Sequence, residues 1–211
     1  MSPEFPDPGA RLELEPDCSR CPALVGCRER ISWGNGPRDA QVVVVGEAPA
    51  AGDPDADRWQ GGNWTGMAYT SRHSGRRVRK LLAEAGHPDA FYTNAVKCFP
   101  CEGGESDGNR EPIAEELANC RLHLEAELDI VDPAVVVPTG KHATKTVFAL
   151  DGRRLDGFLD SVLEPVDSTV LGCTVLPILH PSYQDVWVSR LGYEPEEYAA
   201  ALRDRLTALT G

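Results

Sequence analysis

Residues Gln41 to Val45 read QVVVV, an unbroken β-branched run that stops at Gly46-Glu47-Ala48-Pro49. A strand without alternating polar positions is one buried on both faces, the signature of a parallel sheet covered by helices. Three further apolar runs share this plan: Phe91 to Val96 (FYTNAV), Ala134 to Val137, and Cys173 to Leu179 (CTVLPIL). Helical spacing fills the intervals. Val78, Leu81 and Leu82 mark a helix from Gly75 to Ala85 that Gly86 closes, and Ile113, Leu117, Cys120, Leu124 and Leu128 stripe a longer one after Pro112. Gly140 to Leu150 and Pro195 to Leu209 complete the set. Strands alternating with helices predict an α/β fold, a three-layer α/β/α sandwich around a central, mainly parallel four-stranded sheet. The 211 residues are read as a single domain, 1–211, with 1–17 as a loose N-terminal tail.

In such sheets ligands bind beyond the carboxyl ends of the strands. Glu47, Asn94, Thr139 and His180 each end or follow a different run, so they are expected to converge on one crevice. No G-x-G-x-x-G follows the first strand, which argues against a dinucleotide site. No apolar run approaches a membrane span, and the N-terminus has neither a basic start nor an apolar segment, so a cytoplasmic protein is expected. The net charge is −12, and the lysines are Lys80, Lys97, Lys141 and Lys145 alone. That balance fits a high-salt cytoplasm as well as an ordinary acidic protein. A nucleic-acid partner therefore has to be argued from local charge.

Seven cysteines in a cytosolic chain point to metal or cluster ligands rather than a disulfide framework. Cys18 and Cys21 form one C-x2-C pair, Cys98 and Cys101 another. A four-cysteine zinc site is one reading, although the pairs stand further apart than in a zinc ribbon. Cys120 lies on a helical apolar stripe, and Cys27 and Cys173 are read as structural thiols.

GEAPA at Gly46 to Ala50, TNAVKC at Thr93 to Cys98, the later Cys120 and HPS at His180 to Ser182 follow the first C-x2-C in order. Together they resemble the iron-sulfur uracil-DNA glycosylases of bacteria and archaea, over nearly the whole chain from Cys18 onward. The resemblance implies a structural [4Fe-4S] cluster on Cys18, Cys21, Cys98 and Cys120. Cys101, within the inserted FPCEGGESDG, becomes a bystander. It also implies a monomeric, monofunctional enzyme that hydrolyses the N-glycosidic bond of uracil in DNA, with no lysine acting as a Schiff-base nucleophile. A glycosylase for hypoxanthine or mismatched thymine, or a non-catalytic metal-bearing DNA-binding module, are the alternatives.

Roles follow from chemistry and resemblance together. Asn94 offers an acceptor and a donor to uracil N3–H and O4, a pattern that cytosine reverses. His180 donates to O2 as the leaving base gains charge, a neutral imidazole suffices, and Pro181 restricts its backbone. The resemblance implies that Glu47, with Ala48 and Pro49, lines the pocket near C5, where a thymine methyl would collide. An acidic residue acting on water or the sugar cation is expected at Asp53, with Asp55 and Asp57 as alternatives. Tyr69, in preference to Trp64, stacks on the base, and Ser182 joins the substrate site. DNA contacts are expected from Arg72, His73, Arg76, Arg77, Arg79 and Lys80 at one helix start, and from Lys141, His142 and Lys145 at another. Arg110 adds a third basic point, and Tyr183 fills the gap left by the flipped base.

Overall fold

A computed structural model describes residues 3–103, 106–182 and 184–211. In chain order the elements are β1 (Arg11–Leu12), α1 (Pro22–Val25), β2 (Gly34–Asn35), β3 (Val42–Gly46), α2 (Gly62–Thr65), α3 (Ser74–Glu84), β4 (Phe91–Asn94), β5 (Cys101–Gly103) and β6 (Ser106–Asn109). There follow α4 (Ala114–Val131), β7 (Val135–Pro138), α5 (Gly140–Leu150), α6 (Phe158–Ser161), β8 (Val166–Ser168), β9 (Cys173–Val175), α7 (Gln184–Trp187) and α8 (Pro195–Thr210).

The main sheet has seven strands in the order β1-β2-β4-β3-β7-β9-β8. Its centre is the expected parallel quartet: β3 pairs in parallel with β4 and β7, and β7 with β9. The sheet is larger and more mixed than expected, because β1, β2 and β8 add antiparallel edges. These pieces are two or three residues long, too short to leave a periodic trace. The N-terminal tail is accordingly not loose throughout: Arg11 and Leu12 pair with Asn35 and Gly34, and Leu12 is buried.

Alternation along β3 builds the three layers. Val42 and Val44 pack with Val78, Leu81 and Leu82 of α3 and with Tyr198, Leu202 and Leu206 of α8. Val43 and Val45 face the other way, onto Leu124, Leu128 and Val131 of α4 and Val147 and Phe148 of α5. Successive side chains of a strand point to opposite faces, so one valine run supplies both cores. A third cluster gathers Cys18, Cys98 and Cys120 with Leu24, Trp33 and Val96 at one flank of the sheet.

The chain runs from β3 to β4 on one side of the sheet and later to β7 on the other. The strand order therefore reverses beside β3, the point where such sheets open a crevice. Among the described residues, no helix is long and apolar enough to cross a membrane.

Candidate active site

A cleft of about 930 Å³ lies at the carboxyl ends of the parallel strands, lined by Gly46 to Ala50, Tyr69, Asn94, Thr139 to His142, His180 and Ser182. Four separate strand ends thus meet as expected, and the volume is that of a small-molecule pocket.

Asn94 ends β4, directly opposite Gly46 in the parallel register, and is 4% exposed. A Cβ on Gly46 would stand 2.3 Å from Asn94 Oδ1, so the glycine is what lets this amide lie against β3. Among the described residues, the amide makes no hydrogen bond to the protein, which leaves its donor and acceptor for a ligand.

His180 sits half-buried beyond β9, and the Ser182 backbone N–H donates to its Nδ1 at 3.2 Å. With Nδ1 accepting, a neutral ring carries its proton on Nε2. Burial, helped by the neighbouring His142, lowers the His180 pKa, so the neutral form prevails at pH 7. Gly140, at φ 84°, opens α5, and a Cβ there would approach the His180 Cβ to 2.9 Å. Only glycine suits both demands.

Tyr69 lines the cleft and Trp64 does not. Its hydroxyl bonds Thr139 Oγ1 at 2.6 Å, the partner that a buried phenol requires, and burial raises its pKa. The backbone of Tyr69 is left-handed, at φ 55°, an uncommon state for a non-glycine residue. Arg79 holds it: Nε donates to the Tyr69 carbonyl at 3.0 Å, and Nη2 donates to Asn35 Oδ1 at 2.6 Å and to the Ala68 carbonyl at 3.2 Å. The guanidinium lies 3.9 Å from the Tyr92 ring centroid, and burial lowers its pKa to about 10. Arg79 was expected on a DNA-facing basic surface; it is instead an internal brace, because its position in α3 turns toward the sheet.

Glu47 and His142 face each other across the cleft, with Oε1 and Nδ1 3.6 Å apart, while His142 Nε2 lies 3.2 Å from Glu111 Oε1. Burial raises the Glu47 pKa first, His142 opposes the shift, and Glu111 adds to it. Asp53 is not brought to this site. It lies exposed outside the cleft lining with Asp55 and Asp57, and its Oδ1 accepts from the Asp55 backbone in a local turn. The acidic run is a solvated loop.

Of the DNA-contact candidates, Lys141 is exposed on the cleft lining at the start of α5. Arg77 is exposed on α3, and Arg76 lies 5.6 Å from the Trp59 ring centroid. Arg110 is clamped by Glu116 through two bonds of 2.8 and 2.6 Å, so its charge is already neutralised. Tyr183 lies outside the described residues. Sequence reasoning missed the far wall, where Leu155, Phe158, Leu159 and Trp187 line the cleft from short, aperiodic elements.

The cysteine reading is sharpened at two points. Cys27 and Cys101 form a disulfide, with Cα atoms 5.7 Å apart, so Cys27 is not a free thiol and Cys101 cannot complete a zinc site. The bond ties the inserted hairpin to the segment after α1. Cys18, Cys21, Cys98 and Cys120 remain free and lie in or against one buried cluster. Three of the sulfurs have a nitrogen donor: Cys18 from Arg20 at 3.5 Å, Cys21 from Asn119 at 3.5 Å and Cys98 from Arg28 at 3.2 Å. Burial raises the Cys98 pKa and lifts that of Cys120 to about 11, so these thiols ionise when a metal supplies positive charge. Three buried cysteines and the partly buried Cys21, three of the four with a nitrogen donor, fit an anionic metal-thiolate group.

The Uracil DNA glycosylase superfamily profile matches residues 33–204. A "Type-4 uracil-DNA glycosylase" of Thermotoga maritima is 33% identical over 169 residues, 79% of this chain and 77% of that protein. A "Type-5 uracil-DNA glycosylase" of Pyrobaculum aerophilum is 32% identical over 208 residues, 84% of each. A second Pyrobaculum aerophilum protein, a "Type-4 uracil-DNA glycosylase", is 33% identical over 146 residues, 68% of this chain and 66% of that one. With its parallel quartet, strand-end cleft and motif order all in agreement with this match, the chain belongs to the uracil-DNA glycosylase superfamily.

Proposed function

We propose that this protein is a monofunctional DNA glycosylase that hydrolyses the N-glycosidic bond of uracil in DNA and leaves an abasic site. The convergence of Asn94, Tyr69 and His180 in one cleft carries the reading, with relatives named as uracil-DNA glycosylases in support. The target nucleotide leaves the stack and enters the cleft. Tyr69 packs on the base face, and the Asn94 amide accepts from N3–H and donates to O4. When the C1′–N1 bond breaks, its electron pair stays on the base, and charge builds on O2. His180, neutral with its proton on Nε2, donates to that oxygen; water then adds its oxygen to the sugar at C1′, and the proton it loses neutralises the departing uracil anion. Glu47, Ala48 and Pro49 crowd the C5 side and exclude a methyl group, while Ser182 keeps His180 in the donating tautomer.

Lysine chemistry plays no part. Lys97, the lysine within TNAVKC, has its ammonium bound to Glu127, Thr93 and Asn94. In this reading Lys141, Arg76 and Arg77 hold the DNA backbone of a protein acting as a monomer. Cys18, Cys21, Cys98 and Cys120 would hold a [4Fe-4S] cluster, which when bound would tie the N-terminal segment to the segment after β4 and to α4, and would supply no electrons to a hydrolysis.

The test is incubation with oligonucleotides carrying uracil, thymine or hypoxanthine, with alkali cleavage reporting abasic sites. Uracil release is expected, and Asn94→Ala and His180→Ala should each slow it by about 10² to 10³ while DNA affinity holds. No uracil release, or a His180→Ala variant at the parent's rate, would reject the mechanism.

A further inference from the structure

Beneath the cleft lies a charged pair that the proposed mechanism does not use. Lys97 and Glu127 have side chains 1% and 0% exposed, with Nζ and Oε2 2.6 Å apart. The ammonium has three donors, and all are placed: on Glu127 Oε2, on Thr93 Oγ1 at 2.7 Å and on the Asn94 carbonyl at 2.6 Å. Glu127 is equally committed. Its Oε2 also accepts from Thr93 Oγ1 at 2.5 Å, and its Oε1 accepts from the Gly34 N–H at 2.9 Å.

Such a pair is a costly way to gain stability. Desolvating two charges offsets most of their attraction, and an apolar pair of similar volume commonly does as well or better. What apolar side chains cannot do is grip a carbonyl. Asn94 occupies the last paired position of β4, and the peptide that follows it is held at its N–H end, where Ala95 donates to the Gly46 carbonyl at 2.8 Å. Lys97 grips the carbonyl end of the same peptide and thereby fixes the direction in which the Asn94 side chain leaves the backbone.

We infer that Lys97 and Glu127 are positioning residues for base recognition, holding the Asn94 peptide so that its amide meets the base edge. The inference rests on the reading of Asn94 as the uracil-reading group. α4 is the strut of the device, since Glu127 stands two turns beyond Cys120 on the same face. Lys97 directly precedes Cys98, which packs with Cys18 and Cys120, so one lysine joins the cysteine cluster to the base-reading strand end.

The experiment compares the parent with Lys97→Met/Glu127→Leu, which removes both charges together, and with Thr93→Val, a milder loosening of the same network. Each is also made in an Asn94→Ala background. Single-turnover excision, DNA affinity, melting temperature and iron content are measured on all. The double variant should fold with the parent's iron content, bind DNA equally well and excise uracil roughly 10- to 100-fold more slowly, as a sub-ångström misplacement would produce. Thr93→Val should show a smaller loss. In the Asn94→Ala background neither set should slow excision further, because a positioning residue acts through the group it positions. Parent-like excision by both sets, or an undiminished loss without Asn94, overturns the inference. If the double variant does not fold, Thr93→Val decides by the same criteria. Asn94→Ala at the parent's rate would instead reject the reading of Asn94, and this inference with it.

Discussion

Gly46→Ala is the sharpest perturbation of the cleft, because it adds one methyl group where backbone conformation permits it and space does not. Gly46 is not among the positive-φ residues, so alanine brings no backbone strain. Its Cβ would stand 2.3 Å from Asn94 Oδ1 and 2.9 Å from the Tyr69 hydroxyl oxygen, where contacts under 3.0 Å are not tolerated. Asn94 must therefore withdraw by about 0.7 Å, while Tyr69 barely moves. Overpacking of this kind costs ~1 to 3 kcal/mol of stability, which leaves the fold intact at assay temperature. Its effect on chemistry is larger, since displacing a placed group by about an ångström costs roughly 10² in rate. Single-turnover release of uracil should fall by that factor with DNA affinity unchanged. A Gly46→Ala variant that excises at the parent's rate would refute the placement of Asn94 against the base.

Lys141→Ala should weaken binding to every DNA sequence and reduce the salt slope by about one, measured by titrating affinity against salt. Replacing Cys27 and Cys101 by serine should leave iron content unchanged, because neither belongs to the four-cysteine set, whereas Cys98→Ser should lose iron. The same pair of changes opens a loop spanning 74 residues and should lower stability by ~4 kcal/mol in thermal melts of the oxidised protein. For His180, burial lowers the folded-state pKa below the ordinary 6.5, so single-turnover rates should be level from about pH 7 to about pH 8.5 and change only below pH 6.5. The unfolded chain takes this proton first as pH falls, so His180 contributes a loss of stability that begins near 6.5 and is complete below its folded pKa. A rate that declines steadily between pH 6 and pH 8 would show that the charged imidazolium is the active form.

The parallel quartet, its covering helices and the convergence of Glu47, Asn94, Thr139 and His180 were legible in the order of residues. Each depends on hydrophobic period and chain direction, which the sequence carries locally. The edge strands, the Cys27–Cys101 bond and the inner wall of Phe158 and Trp187 were not legible. They consist of short segments whose partners are set by packing.

Residue type decided what each group can do: an amide for a base edge, an imidazole for a leaving anion, thiols for a metal group. Only the tertiary structure decided which groups are placed to act. Asp53 and Arg79 look alike as charged residues in polar runs, yet one is left in solvent and the other is buried under Tyr69. The separation follows from geometry: a loop carboxylate is free to remain hydrated, whereas a side chain on the inner face of α3 must find partners within the fold. Lys97 and Glu127 show the same limit, since thirty residues apart in the chain they become one ion pair only when α4 lies across the end of β4.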